Sequence, residues 1–224
     1  MINPTAPRGR PAARRAPAAM SFDRIVETAR ELVRTGGADA LSMRKLSAEL
    51  GVAPTAIYWH VGDREKLLNA VLDAELAELP EVRANGTTPN ARLRSVARAI
   101  RRQVQDAPHV QALAFVLDRS AAVSFPGQVA LAREVTAAGL HGEEAANAAR
   151  AILFLVGGFA MLEGNFRTRP PGQRTTQELW SEITAEDIDP ILLAAMRRPA
   201  DTDALFTYAL DNLIESVLTR SRSR

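Results

Sequence analysis

The chain has 224 residues, of which 46% are hydrophobic and 24% are charged, and its formal net charge is +2. This composition is ordinary for a globular protein of one or two domains. The absence of cysteine excludes disulfides, thiol catalysis and zinc sites with sulfur ligands. The longest uninterrupted apolar run, Ala151 to Leu162, is twelve residues, whereas a membrane helix needs about 20. We therefore expect a cytoplasmic protein with no membrane partner.

Residues 1–20 differ in charge from the rest of the chain. They hold four arginines, Arg8, Arg10, Arg14 and Arg15, four prolines and no acidic residue. The stretch has no apolar block, so it is not a signal peptide. We expect a disordered basic arm, and its composition fits both an arm that touches nucleic acid and a tail without a role.

Beyond the arm, apolar residues recur with the 3.6-residue period of amphipathic helices, and no long stretch alternates as a strand would. The predicted helices span 22–35, 42–50, 54–60, 63–79, 90–106, 108–119, 126–138, 143–166, 176–195 (broken near Pro190) and 201–219. Composition shifts near residues 80–90. The sequence therefore predicts an all-α fold with a three-helix N-terminal domain at 21–66 and a larger helical domain at 67–224. The helix at 63–79 links the two.

The segment 42–66 reads SMRKLSAELGVAPTAIYWHVGDREK. Two short helices separated by about three residues have the spacing of a helix-turn-helix. Gly51 at the break can adopt the positive φ that ends a helix sharply. Leu46 and Ile57 fall on the inward side, which leaves Tyr58 and Trp59 among the outward residues.

An outward group of large side chains indicates a contact surface, because single proteins rarely leave such a patch in water. The residues are suited to double-stranded DNA: a bidentate arginine can recognise guanine, small side chains meet thymine methyls, and hydroxyl, imidazole and cationic groups bind phosphates. The candidate DNA-binding residues are Ser42, Arg44, Lys45, Thr55, Ala56, Tyr58, Trp59, His60 and Arg64. The alternative is that Tyr58 and Trp59 are ordinary core aromatics.

The balance of positive and negative charges in this region limits its affinity for nucleic acid. Residues 21–66 hold seven basic and seven acidic residues, so the domain lacks the bulk basicity of many nucleic-acid binders. Phosphate neutralisation sets non-specific affinity, so we expect that affinity to be modest and dependent on the arm.

The segment SMRKLSAELGVAPTAIYWHVGDREKLLNAVLD resembles the N-terminal domain of TetR-family transcriptional repressors, and the likeness covers roughly residues 22–75. The resemblance implies a homodimer that binds a palindromic operator, blocks transcription and leaves the DNA when a small molecule binds its C-terminal domain. It implies base-facing positions at Arg44, Thr55, Ala56 and Trp59, and backbone-facing positions at Ser42, Tyr58, His60 and Arg64. Ala53 stands where the family commonly has a polar capping residue, and Ala56 where it commonly has threonine.

The C-terminal domain must supply dimerisation, and its most apolar helices are those at 143–166 and 201–219. Two such helices from each subunit make a four-helix bundle. Gly157 and Gly158 lower helix stability, which close approach of a partner helix or a ligand explains, with a tolerated kink as the alternative. A predicted ligand pocket consists of His109, Phe115, Phe154, Met161, Asn165 and Trp180. The same residues also suit an ordinary core. We expect no cofactor beyond an unidentified small-molecule effector.

Other classes of function have less support. There is no P-loop, no dinucleotide-binding glycine motif and no metalloprotease spacing among the three histidines, so we expect neither an enzyme nor a metal site. The low net charge disfavours a DNA-packaging protein. A helical DNA-binding regulator that responds to a protein partner, or that has no inducer, remains the alternative.

Overall fold

The computed structural model describes residues 20–167, 172–184 and 187–222. Within these ranges the chain folds into α-helices and one short 3-10 turn at Ala38–Ala40, with no strand. The predicted all-α fold is therefore confirmed. The predicted arm lies outside the described residues except for Met20. The helices are α1 Phe22–Gly36, α2 Met43–Leu50, α3 Pro54–Val61, α4 Arg64–Glu78, α5 Pro89–Asp106, α6 Pro108–Val116, α7 Ser120–Ala137, α8 Gly142–Arg167, α9 Thr176–Glu182, α10 Pro190–Met196 and α11 Thr202–Arg222.

Two helix boundaries differ from the sequence prediction. Helix α9 ends at Glu182, before the predicted break near Pro190. The helix predicted over 126–138 begins earlier, since α7 starts at Ser120 and holds Pro126 inside the helix. The neighbouring Gly127 packs so closely on α5 that an added Cβ would lie 2.9 Å from Ile100 Cδ1. Proline at 190 does begin α10, and the Asp189 side chain accepts a hydrogen bond from the Ile191 backbone N–H at 3.0 Å.

The N-terminal core joins α1 to α4 with part of the larger domain. Its buried residues include Ile25 on α1, Leu46 on α2, Ile57 on α3 and Leu68 on α4. Residues of α6 belong to the same cluster, so the apolar contacts that hold the helix-turn-helix extend beyond residue 66. The division of the chain at 66 and 67 stays a prediction.

The C-terminal core lies between α5, α7, α8 and α11. Phe206 of α11 is fully buried there, and its ring meets the Phe159 ring edge-on at 5.2 Å between centroids. Ile152 and Val156 of α8 are buried on the same side. This body holds one face of α8 and leaves the other face outward.

The outward face makes α8 unusual. Over Gly142–Gly164 this helix is long and apolar enough to cross a membrane by length and composition, a test that core helices also pass, and only 22% of its most apolar window is buried. The uninterrupted run counted from the sequence is shorter than this helix, because Arg150 lies within it. Phe154, Met161 and Leu162 are exposed. The described chain therefore leaves a strip of apolar surface along α8.

Candidate nucleic-acid interface

The turn between α2 and α3 has the geometry that the sequence predicts. Gly51 adopts φ 69° and ψ 34°, the left-handed conformation, and its backbone N–H donates to the carbonyls of Ala48 and Ser47. The Val52 N–H donates to the Ser47 carbonyl at 3.0 Å. A residue with a Cβ is disfavoured at this φ, so glycine fixes the direction in which α3 leaves α2.

Two residues of α3 pack into the core, and most of the others are exposed to solvent. Ile57 and Val61 are buried, whereas Tyr58 is 49% exposed and Trp59 is 90% exposed. Thr55 and His60 are exposed as well, and Ala56 is half-buried. The interpretation of Tyr58 and Trp59 as core aromatics is therefore wrong. The exposed aromatic surface is rigidly placed, because its own helix packs on the core through the opposite side.

The start of α3 carries no side-chain cap. Ala53 occupies the N-cap position without a side-chain hydrogen bond, and Pro54 follows as the first helical residue. By contrast, Ser42 caps α2 by accepting the Lys45 N–H at 3.1 Å, and Asp63 caps α4 by accepting the Lys66 N–H at 2.8 Å. The prediction that Ala53 leaves one N–H of α3 without a side-chain partner agrees with this geometry.

The other candidate DNA contacts divide into two kinds. Arg44 and Lys45 are exposed on α2, and neither forms an ion pair with a residue that the structure describes. The Arg64 guanidinium instead points back into the chain, where it donates to the carbonyls of Leu41 at 2.8 Å and Ala38 at 2.6 Å. Arg64 thus braces the start of α4 against the turn before α2, a role that the sequence does not reveal.

A charged cluster, which we call the junction cluster, joins α1, α4 and α6. It centres on the buried carboxylate of Glu75, which is 4% exposed. Arg30 and Arg34 of α1 donate to Glu75 at 3.0 and 2.9 Å, and His109 Nε2 of α6 lies 3.1 Å from the same carboxylate. Glu78 adds ion pairs to both arginines. The cluster ties α1 and α4, which pack with the helix-turn-helix, to α6 of the larger domain.

The electrostatics of this cluster are cooperative. Burial disfavours the charged form of Glu75, but the hydrogen bonds from Arg30, Arg34 and His109 outweigh it, so the pKa of Glu75 lies below its ordinary value. The hydrogen bond to Glu78 and the contacts with Glu75 raise the pKa of Arg30 despite burial. The carboxylate and guanidiniums therefore stay charged together.

The sequence analysis missed this cluster, although a signal for it exists. Glu75 follows Leu67, Leu68, Val71 and Leu72 at helical spacing, where another apolar residue is expected. A second charged residue that interrupts an apolar stripe is Arg101 of α5. Arg101 pairs with Glu163 of α8 and Asp203 of α11 and lies 4.4 Å from the Phe206 ring centroid. Such interruptions mark buried ion pairs between helices.

The five predicted pocket side chains that the structure describes do not gather around one space in the single chain. His109 lines a cavity of about 560 Å³, the junction cavity, formed by the end of α4, the α4–α5 connection, α5 and the start of α6. Phe115, Phe154 and Met161 are 80%, 78% and 69% exposed, and Trp180 is half-buried. The Asn165 side chain lies outside the described residues. Helical spacing cannot tell a face that turns inward from one that turns toward a partner.

The part of the chain that contains the helix-turn-helix matches a known protein family. Residues 25–71 match the family of bacterial regulatory proteins described as the tetR family. An HTH-type transcriptional regulator from Saccharopolyspora erythraea is 34% identical over 95 residues, which are 42% of this chain and 40% of that protein. The class A tetracycline repressor from Escherichia coli is 41% identical over 54 residues, 24% of this chain and 25% of that protein. The alignments thus span well under half the length of these relatives.

Solved structures extend the likeness over nearly the whole chain. Apo ActR from Streptomyces coelicolor has a TM-score of 0.63 at 24% identity and covers 94% of this chain and 99% of its own, which concerns the fold alone. A TetR transcriptional regulator from the same organism has a TM-score of 0.62 at 26% identity, with 90% and 99% coverage. Residues 25–71 therefore belong to the tetR family of bacterial regulatory proteins, and the helical body that carries them has the fold of a TetR transcriptional regulator.

Proposed function

We propose that this protein is a homodimeric transcriptional repressor of the cytoplasm that binds a palindromic DNA operator and leaves it when a small molecule occupies the C-terminal domain. The observation that carries the proposal is the exposed surface of α3, where Tyr58, Trp59 and His60 extend from a helix fixed by a glycine turn and a buried core. The DNA-binding domain spans 21–66 and the regulatory and dimerisation domain 67–224.

In the proposed complex α3 enters the major groove. Arg44, Thr55, Ala56 and Trp59 face the bases, and a bidentate contact from Arg44 to guanine contributes about 1–3 kcal/mol of discrimination. Ser42, Lys45, Tyr58 and His60 bind the backbone. Arg64 has two acceptors within the chain, so its main contribution is to hold the turn that presents α2, and any phosphate contact uses its remaining N–H groups.

The apolar strip on α8 supports dimerisation. Phe154 and Met161, seven residues apart, lie on one exposed face with Gly157 and Gly158 between them. No atom of another residue would lie within 4 Å of a Cβ at either glycine, so nothing in the described chain requires their small size. Leu205 and Tyr208 of α11 are exposed too. A partner that brings the same two helices covers these surfaces as a four-helix bundle.

Regulation by a ligand rests on two observations. The junction cavity touches Glu75 and His109, so its occupancy acts directly on the cluster that joins α1 to α4 and α6. A structure of ActR from Streptomyces coelicolor, 25% identical to this chain with a TM-score of 0.58, is a complex with actinorhodin. We propose His109 as the pocket residue that acts on the DNA-binding domain. Phe115, Phe154, Met161, Asn165 and Trp180 remain proposals for the pocket of the dimer.

In vitro selection of bound duplexes from a random pool, with the full chain, tests the proposed DNA recognition. We expect enrichment of a palindrome whose two short half-sites lie on one face of the duplex, with centres about 34–36 Å apart. Enrichment of a single non-repeated motif contradicts the homodimer, and absence of any enriched motif contradicts sequence-specific binding. A Trp59→Ala variant is the matched control, because its side chain makes almost no contact within the chain and its loss leaves the fold intact.

A thermal-shift screen of lipophilic compounds tests the ligand. A compound that binds the native state raises the melting temperature, and an inducer must also weaken operator binding, because it can shift the protein only through different affinities for two states. Compounds that raise the melting temperature while leaving operator affinity unchanged contradict the inducer role. A screen without any stabilising compound favours the alternative, in which a protein partner or no inducer controls the regulator.

A further inference from the structure

A narrow cleft on the outer side of α5 is lined by arginines and by no acidic residue. Its volume is about 270 Å³, and it lies between the α4–α5 connection, which supplies Arg83, and α5, which supplies Arg94, Arg98 and Arg102. The three α5 arginines follow one another at intervals of four residues, so they lie on one helix face. We call this space the arginine cleft.

Among the residues that the structure describes, two of the four guanidiniums have a carboxylate partner. Arg83 pairs with Glu81 at 2.6 Å, and Arg94 pairs with Asp211 at 2.6 Å. Arg98 donates to the Thr207 hydroxyl at 3.3 Å. Neither Arg98 nor Arg102 forms an ion pair with any residue in the described ranges, so two positive charges remain uncompensated in one small space.

Such an arrangement is unfavourable without a counter-charge. Like charges four residues apart on a helix destabilise it, and Arg98 is also half-buried, which reduces its exposure to water. If every arginine on this helix face had a carboxylate partner, no ligand would be needed. Within the described chain, carboxylates pair with Arg83 and Arg94 but not with Arg98 or Arg102. The guanidiniums of Arg98 and Arg102 therefore favour binding of an anion from solution.

Hydrogen bonds also fix the walls of the cleft relative to each other. The Ser95 hydroxyl, on its wall, accepts the Asn85 backbone N–H at 2.7 Å and donates to the Arg92 carbonyl at 2.8 Å. These bonds hold the α4–α5 connection against α5, so the position of Arg83 relative to the helix is set. A planar guanidinium fork matches the oxygen pairs of phosphate and carboxylate groups.

We propose that the arginine cleft binds a small polyvalent oxyanion, a phosphate or a di- or tricarboxylate, between Arg98 and Arg102. The cleft shares Arg83, Asn85 and Arg102 with the junction cavity, so the bound anion lies beside the space that reaches Glu75. All of its lining residues belong to α5 or to the connection before it, and none is among the proposed DNA contacts. The inference therefore holds or fails independently of DNA binding.

Isothermal titration calorimetry of the full chain tests the proposal, with inorganic phosphate and citrate as separate probes and acetate as the monovalent control at equal ionic strength. We expect phosphate or citrate to bind with one site per chain and acetate to give no saturable heat. The double variant Arg98→Gln, Arg102→Gln loses two charge-assisted contacts and should raise the dissociation constant at least about tenfold. Arg198→Gln, which removes an exposed arginine next to α10, should leave it unchanged.

Several outcomes overturn the proposal. They are equal affinity in the wild type and the double variant, saturable binding of acetate equal to that of phosphate, and no saturable binding of either polyvalent probe. If the double variant binds random-sequence duplex DNA more weakly while phosphate and citrate fail to bind the wild type, the arginines serve the DNA backbone and the small-anion site is wrong. If circular dichroism shows that the double variant is unfolded, Arg102→Gln, at an exposed position, provides the same comparison.

Discussion

Two surfaces of this protein expose large apolar side chains, and they differ in what surrounds those side chains. Trp59 of α3 is 90% exposed and Phe154 of α8 is 78% exposed, so exposure alone does not distinguish them. The α3 surface has His60 beside the aromatic pair and Arg44 on the neighbouring helix, whereas the α8 strip continues as Gly157 and further apolar residues. Polar and cationic neighbours suit a phosphate backbone, and an uninterrupted apolar strip suits another apolar surface.

The largest expected effect comes from placing a charge in the α8 strip. Phe154→Glu should prevent self-association, because a desolvated carboxylate without a partner opposes burial. Operator affinity should then fall at least about 100-fold, because one subunit reaches only one half-site. Analytical ultracentrifugation and operator titration measure the two effects. Ile191→Glu, at a residue of α10 with 80% exposure, is the matched control, and a Phe154→Glu variant that remains dimeric contradicts the proposed interface.

The junction cluster sets the next effect. Glu75→Gln removes a buried carboxylate and leaves Arg30 partly uncompensated, which should lower the free energy of unfolding by about 3 kcal/mol. Denaturant unfolding measures the change. Glu81→Gln breaks an exposed ion pair with Arg83 and should produce no measurable difference, as is usual for exposed pairs. Equal stability of the two variants contradicts the importance of the buried carboxylate.

The difference in unfolding free energy between wild type and Glu75→Gln should depend on pH. The pKa of Glu75 is lowered in the folded chain, so its stabilising contribution is fully present above the unfolded carboxyl pKa of about 4.3 and disappears as pH falls through the folded pKa. The stability difference between wild type and Glu75→Gln should therefore be constant near neutrality and shrink in acid. A difference that grows on acidification would reverse the sign and contradict the lowered pKa.

A substitution at Arg44 tests the proposed contact between this side chain and the bases. Arg44→Ala should weaken binding to the selected operator by about 1–3 kcal/mol, the usual value of a bidentate base contact, and relax the preference at one base pair of each half-site. Arg133→Ala, at an exposed residue of α7, removes the same charge far from α3. A loss of affinity that is equal for operator and random duplex shows a phosphate contact and contradicts the base-reading role.

The smallest expected effect concerns the uncapped start of α3. Ala53→Ser supplies the missing acceptor and should raise the free energy of unfolding by about 0.5–2 kcal/mol. Thermal unfolding checks the increase in melting temperature. Ala48→Ser, at an exposed position inside α2, has no orphan N–H to accept and should be neutral or slightly destabilising. Equal melting temperatures of Ala53→Ser and wild type contradict the capping argument.

The sequence predicts what local patterns determine. Most helices, the turn at Gly51 and the exposure of Tyr58 and Trp59 follow from spacing within about thirty residues, whereas the start of α7 at Ser120 does not. The partners of Glu75 lie 45 residues before it on α1 and 34 residues after it on α6, and no local pattern connects them. Likewise α8 is apolar nearly all round, so helical spacing does not tell which of its residues face the core and which, like Phe154 and Met161, remain exposed.

One carboxylate that bonds to two arginines and a histidine has a mechanical consequence. Arg30 and Arg34 of α1 and His109 of α6 all contact Glu75, so α4 cannot shift along α1 without breaking the arginine bonds, or along α6 without breaking the bond to His109. We therefore expect a displacement that begins in the larger body to move α1, α4 and α6 together. Helix α3 packs against α1 and α4, so we expect it to move with them.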